Sequence, residues 1–454
     1  MSQLEVLSKS NLGSTSADLA SEAEETLLYR KITWRLIPFL LLAYVICYID
    51  RANVSFAYLR FKDDIGLSDA AYGLGAGIFY LGYIAFELPS NILLEKLGAR
   101  TTLMRIMVLW GLVSAGTAFV SSPEQFYIAR ILLGAAEAGF FPGLILYLTY
   151  WFPANRRGRV TSLLMLGLCI AGVIGGPVSG GILDLFEGST VMKSWQWMFL
   201  LEGLPAVIIG FVAFFYLSDG PMDAKWLSED EKRRVLANLE RDQQGKVQQH
   251  GGKAVLLKLL TDPKVFIASV AYFFSPWALS VLNVWGPAII KQSGVENAFA
   301  IGLLTIAPNL AGAIAMVYVG RRSDRHGERR WHFMCSVGIT AIGSLMLASM
   351  HDNWVAATVF LTLVGIGQYA AFVVFWSIPP SYFSRTTAAA GIAIISSLGQ
   401  ISGLLSSWIL GILKEATGSM VVGLYLVSAI QILAGLLIVF GFRERVPAEK
   451  HTGH

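Results

Sequence analysis

Charge is what this sequence has little of. Only 15% of its 454 residues are Asp, Glu, Lys or Arg, against about 25% in a water-soluble protein. A hydrated surface cannot be built from so few charges, which argues against a soluble enzyme or binding module. The net charge is only +4 and the basic residues are not pooled in one patch, so no nucleic-acid partner is expected. Cysteine is scarce too. Cys47, Cys169 and Cys335 lie in or beside apolar runs, an arrangement that suits neither a disulfide framework nor a metal site. The first apolar run starts near Leu36, behind an acidic, serine-rich stretch, so no cleavable signal peptide is expected. No nucleophile–base pair or cofactor motif is found, and the chain is not expected to be an enzyme.

What is abundant is long apolar sequence: 55% of residues are hydrophobic. Windows of about 20 apolar residues cross a bilayer, and twelve are found. Six precede a polar centre, at 34–58, 71–93, 102–120, 126–149, 160–185 and 196–217. Six follow it, at 265–289, 299–319, 332–350, 354–376, 388–411 and 421–441. The expected fold class is an all-α membrane protein with twelve transmembrane helices in two six-helix bundles.

Basic residues orient it. Turns 2–3 (Lys96, Arg100, Arg105), 4–5 (Arg156, Arg157, Arg159) and 8–9 (Arg321 to Arg330) are basic, and the alternate turns are poor in such residues. The positive-inside rule then puts both termini and the central loop in the cytoplasm. Turn 1–2, with Arg60 and Lys62, is the exception, and Asp63 and Asp64 offset it. The domains expected are a flexible cytoplasmic leader (1–30), a first bundle (31–218), a cytoplasmic linker (219–262), a second bundle (263–443) and a cytoplasmic tail (444–454). Within the linker, Ser228 and Glu231 stand at capping-box spacing. Val235, Leu236 and Leu239 follow as one apolar stripe, so an amphipathic helix is predicted there.

The two halves echo each other. "LEKLGARTTLM" follows span 2 and "GRRSDRHGERRWHFM" follows span 8, the matching place in the second half. Such duplication suits a parallel repeat around a midplane site. The "GRRSDRHGERR" turn resembles the loop signature of the major facilitator superfamily. "YIDRANVSFA", "FELPSN", "RILLGAAEAGFFPG" and "WQWMFLLEGLPAVIIG" further resemble its anion:cation symporter family, whose members carry tartrate, phthalate, hydroxyphenylacetate, sugar acids and similar carboxylates. That resemblance implies a conformational lock at Gly320, Asp324, Arg325, Gly327, Arg329 and Arg330, in which Asp324 holds neighbouring helix ends. Its first-half copy includes Arg100, with Glu95 and Lys96 where the family has Asp and Arg.

Asp50 and Arg51 sit side by side inside span 1. A charge at mid-membrane costs about 2.5–3.5 kcal/mol on insertion scales, so such residues usually line a cavity. Adjacent helical residues are about 100° apart, so the two face different ways. Tyr44, Tyr48, Arg51 and Ser55 share a polar face, which turns Arg51 to the cavity and Asp50 to a neighbouring helix. Arg130 and Glu137 lie two turns apart on one face of span 4. Together the four side chains are neutral.

A carboxylate favours arginine, whose guanidinium stays charged and binds two oxygens in a fork. A carboxyl in low dielectric favours its protonated form. Protonating Asp50 and Glu137 would free Arg51 and Arg130 for an anion, which couples proton to substrate. The resemblance assigns the same parts: Asp50 and Glu137 as proton-coupling acids, Arg51 and Arg130 on the substrate or on those acids. Tyr83 offers a hydroxyl or simply packs. Asn283 precedes Pro287, whose missing N–H breaks a helix. Trp376 and Ser377 offer an aromatic face beside a hydroxyl. Ser396 and Gln400 stand where the family often has Asn. Trp277, Trp285, Phe375 and Trp376 tilt the expected substrate toward an aromatic carboxylate over a sugar acid.

The expected activity is proton-coupled uptake of a small organic anion by alternating access, in a monomer embedded in the cell inner membrane. Protons are the coupling ion and no cofactor is expected. The alternatives are a uniporter or exchanger of the same anions, and a membrane sensor that does not transport.

Overall fold

The computed structural model describes residues 3–244, 259, 261–350, 352–379 and 385–442. The expected tail (444–454) and linker residues 245–258 lie outside them. The described residues form helices and no strand. Twelve helices are long and apolar enough to span a membrane. Spans 1 to 6 are Glu22–Asp64, Asp69–Leu97, Ala99–Phe119, Pro123–Thr149, Ala154–Leu185 and Ser194–Tyr216. Spans 7 to 12 are Pro263–Gln292, Ala298–His326, Arg330–Ser349, Trp354–Ser377, Ile394–Thr417 and Val421–Gly441. The helix of span 1 begins at Gln3, ahead of the first apolar run. Large apolar side chains stand on the outside, Phe215 at 83% and Leu88 at 69% exposure. In a membrane that surface meets lipid, which explains the shortage of charge.

Each half is a bundle. Span 3 packs on span 6, span 2 on span 4 and span 1 on span 5. In the second half span 10 packs on spans 8 and 9, and span 12 on spans 7 and 9. The halves meet along two seams, span 2 against span 11 and span 5 against span 8. Glycine makes the second seam possible. A Cβ on Gly302 would lie 2.2 Å from the Gly176 carbonyl oxygen, closer than any side chain tolerates, so small residues let these backbones touch.

Among the described spans, 4 and 7 are broken for a readable reason. Span 4 runs as helix to Glu137, turns through Ala138 and Gly139, and resumes at Phe140. Pro142 lacks the N–H that the Ala138 carbonyl would need, and Gly139 takes the left-handed conformation (φ 82°) that favours glycine. Span 7 passes from Trp277–Ser280 into a π-helical turn over Val281–Trp285 before Gly286–Gln292. Pro287 removes the donor for the Asn283 carbonyl, and a π turn is a frequent response at functional places. Broken helices at membrane depth are tolerated where protein or a cavity covers them.

The linker helix, Glu229–Gln244, closes the first half. The Glu231 side chain accepts from the Ser228 N–H at 2.8 Å, and Ser228 Oγ accepts from the Glu231 N–H at 3.2 Å, forming a capping box. Val235 is fully buried. Lys31 reaches Glu231 at 2.8 Å and Arg157 reaches Asp242 at 3.7 Å, tying the helix to spans 1 and 5.

Candidate functional site

The charged cluster assembles where span 1 meets the break in span 4. Glu137 is the last residue of the first helix of span 4 and is 1% exposed. It accepts from Arg51 Nε in a short ion pair and from Cys47 Sγ at 2.8 Å. The Arg51 side chain stays 27% exposed against 1% for its partner, so the base reaches open space and the acid does not. Rings of Tyr48, Phe79 and Tyr83 each lie with their centroid 5.3 Å from the Arg51 guanidinium carbon. An aromatic wall of this kind holds a cation by its ring faces without competing for its N–H groups. Tyr83 therefore meets Arg51 through its ring, and Tyr48 bonds only Tyr44, hydroxyl to hydroxyl at 3.4 Å.

Asp50 turns the other way, as its helical position requires. Its Oδ1 accepts from Ser114 Oγ of span 3 and from Asn53 Nδ2 at 3.1 Å. Among the described residues it makes no ion pair. Arg130 also lacks one. It is 4% exposed, donates from Nε to the Gly75 carbonyl at 3.4 Å and lies 5.1 Å from the Phe79 ring centroid. Of the four charges, then, only Arg51 and Glu137 touch.

The second-half candidates stand apart from this cluster. Asn283 is exposed within the π turn. Ser396 and Gln400 are half-buried on span 11. None of these three makes a side-chain hydrogen bond among the described residues, so their polar groups are available. Trp376 is half-buried, edge-on to Tyr272 with centroids 4.8 Å apart. The Ser377 hydroxyl is used, donating to the Val373 carbonyl at 3.3 Å. Trp277, Trp285 and Phe375 are packed in the core, which removes three of the four rings behind the aromatic expectation.

The turn 8–9 signature is formed, but among the described residues its acid holds no helix end. Gly327 ends span 8 in the left-handed conformation, φ 67°, and Arg329 donates to the Ser377 carbonyl. Arg330 lies 3.9 Å from Glu328, and a Cβ at Gly320 would rest 3.4 Å from Val373. Asp324 and Arg325 are exposed, and among the described residues the Asp324 carboxylate has no ion pair. In the first half Glu95 is exposed and, among the described residues, makes no ion pair. Asp219, just past span 6, takes the acid's place: it accepts from the Arg100 N–H at 2.9 Å, and its other oxygen lies 3.9 Å from Arg100 Nε.

Sequence reasoning missed a second polar cluster, at the end of the bundle opposite the linker. Lys414 of span 11 is 4% exposed. Its ammonium donates to Tyr58 Oη at 2.8 Å and pairs with Asp69 at 3.2 Å. It also lies 5.1 and 5.2 Å from the Tyr58 and Trp285 ring centroids. Tyr72 completes the clasp by donating to the Val284 carbonyl at 3.0 Å. Spans 1 and 2 are thus fastened to spans 7 and 11 at that end. Lys414 lies just past the span predicted at 388–411, so the sequence carried no signal for it. Toward the linker end, by contrast, a cavity of about 580 Å³ separates span 5 from span 8, lined by Leu166, Cys169, Arg321, Arg322 and Arg325 among others.

Two six-helix bundles, clasped at one end and parted by a cavity at the other, with a charged cluster buried in the first bundle, define a membrane transporter rather than an enzyme. The comparisons agree. The Major Facilitator Superfamily profile matches residues 40–407 and 268–454, and the chain belongs to that family. It is 42% identical to the "Putative metabolite transport protein NicT" of Pseudomonas putida, covering 91% of this chain and 94% of that one. It is likewise 42% identical to a "Putative tartrate transporter" of Agrobacterium vitis, covering 91% and 93%. Among solved structures, a bacterial homolog of the human lysosomal transporter Spinster, inward-facing and occupied, superimposes with a TM-score of 0.73. It covers 89% of this chain and 96% of its own at 14% identity, a likeness of fold.

Proposed function

We propose that this transporter couples the uptake of a small organic anion to protons by alternating access, from the inner membrane of the cell. The observation that carries the reading is the Arg51–Glu137 pair, a buried acid on a partly exposed arginine. While Glu137 is ionised, Arg51 is engaged. A proton on Glu137 cancels that attraction and leaves a guanidinium facing open space with no partner, which is what a carboxylate binds. Anion arrival then favours the protonated acid, and anion departure favours the ion pair, so the two ligands travel together. Arg130, buried without an ion pair, adds positive potential to the same zone.

The basic turns at the linker end support a cytoplasmic position for that end. With the opposite end clasped through Lys414 and the linker end parted, the described conformation reads as open to the cytoplasm. That Asp324 holds no helix end among the described residues fits this state, because a lock that closes the cytoplasmic side has nothing to hold while the side is open.

For the substrate, a small hydroxylated carboxylate is favoured over an aromatic one. The tartrate-named relative supports this, and so do the unpaired polar groups of Asn283, Ser396 and Gln400. Of the aromatic wall only Trp376 remains. The coupling is tested with Glu137→Gln in liposomes. The substitution should abolish accumulation driven by a pH gradient while retaining exchange of substrate across the membrane. Gradient-driven accumulation at wild-type levels would remove Glu137 from the mechanism.

A further inference from the structure

Glu202 is the one acid of span 6, Ser194–Tyr216, and nothing in the transport cycle above uses it. It is 5% exposed. Ser179 of span 5 donates to its Oε1 at 2.7 Å, while Oε2 is buried without a partner. Spans 1, 3 and 5 pack against span 6, and among the described residues the charged group that acts on Glu202 is Asp50. No cation balances it among the described residues. Asp50 in turn faces Glu137 and Arg130 of span 4.

Asn53, 1% exposed, is a buried polar neighbour of both acids. Its Nδ2 donates to Asp50 Oδ1 at 3.1 Å. Three oxygens in this pocket are buried with no hydrogen to accept: Asp50 Oδ2, Asn53 Oδ1 and Glu202 Oε2. Two ionised carboxyls would leave the pocket short of donors, and such orphan acceptors are costly when buried. An ionised Glu202 with no counter-ion at membrane depth is costlier still.

We infer that Glu202 is a second proton-binding group of the first half, and that Asn53 ties its protonation to that of Asp50. A proton on Glu202 Oε2 supplies the missing donor and gives it to Asn53 Oδ1. Asn53 Nδ2 meanwhile satisfies an ionised Asp50. An amide has one accepting and one donating end, so it serves one acid and one carboxylate at a time. If the proton sits on Asp50 instead, the amide turned end for end accepts from Asp50 and donates to Glu202. The pair therefore holds one proton between them, and the amide's orientation follows it. The role in transport rests on the proton-coupled reading, whereas the protonation itself does not.

Infrared spectroscopy of the protein in lipid at neutral pH separates the two. The wild type should show a carbonyl stretch from an un-ionised carboxylic acid that Glu202→Gln removes. Asn53→Leu should shift that band, because the proton loses its acceptor, and this second variant covers any folding failure of the first. In uptake assays, Glu202→Gln should move the pH of half-maximal transport by about one unit or more, as for strongly interacting titrating sites. A carboxylic acid band unaltered in folded Glu202→Gln, or in Asn53→Leu if the first does not fold, overturns the inference. Full coupling in Glu137→Gln would instead overturn the transport mechanism and leave the infrared assignment standing.

Discussion

Arg51 uses one edge of its guanidinium on Glu137 while three rings surround it, so little slack remains in its position. Lysine at this place keeps the charge but loses the planar fork. Arg51→Lys should weaken substrate binding by roughly 1.5–3 kcal/mol, the worth of a charge-assisted hydrogen bond, measured by calorimetry with the best ligand from a carboxylate screen. An unchanged affinity would mean that Arg51 only braces Glu137. Substrate class is decided by a second pair of residues. Among the described residues Gln400 has no side-chain hydrogen bond, whereas Trp376 already packs edge-on to Tyr272. For a hydroxylated acid, Gln400→Ala should cost more binding than Trp376→Ala, each mutant being checked for folding. The reverse order would restore the aromatic carboxylate.

Among the elements, the linker helix has the plainest physical account. Burial works against the Glu231 carboxylate, yet Lys31 and the Ser228 amide outweigh it and hold its pKa below the ordinary glutamate range. A carboxyl with a depressed pKa contributes its full stabilisation above the unfolded value, near about 4.3 for glutamate. That contribution is lost as pH falls through the lower, folded value. Docking of Glu229–Gln244 should therefore be insensitive to pH near neutrality and loosen only in acid, read as faster amide exchange in that helix. Glu231→Gln should show the looser exchange at every pH. The broken span 4 is an element-scale feature of a different kind. Its interruption at Ala138 and Gly139 directly follows Glu137, so the acid sits where the helix ends rather than in a continuous helical wall.

At the scale of the whole molecule, the balance between conformations depends on contacts that exist in one state only. Under the proposed alternating access the Lys414 clasp, joining spans 2 and 11 across the seam, is such a contact. Asp69 keeps Lys62 at 2.6 Å when Lys414 is removed, so the acid is not left bare. Lys414→Met should thus release the clasp while sparing the fold, shifting the population toward the form open at that end; each 1.4 kcal/mol is tenfold. Amide exchange in Val281–Trp285 should quicken, because the Tyr72 bond to the Val284 carbonyl goes with the clasp. Unaltered protection there would mean that the glycine seams alone hold that end shut.

Composition and run length determined the twelve spans and the two-half plan, because a bilayer leaves a chain no other way to satisfy its backbone. Pro287 announced a broken span 7, since its effect acts through the local backbone. Helical phase alone turned Arg51 and Asp50 apart, and the structure has them so. What tertiary structure decided was partnership. Glu137 chose Arg51 and Cys47, Asp50 chose Ser114 and Asn53, and Asp219 stood in for Glu95 beside Arg100. These partners are distant in sequence, and no periodicity within a span records which neighbour it will meet. The same holds for Lys414 and Glu202, ordinary charges on the page that become exceptional only when packing closes over them. Phe375, Trp277 and Trp285 show the converse: their size made them plausible cavity walls, and only the packing of two bundles placed them in the core.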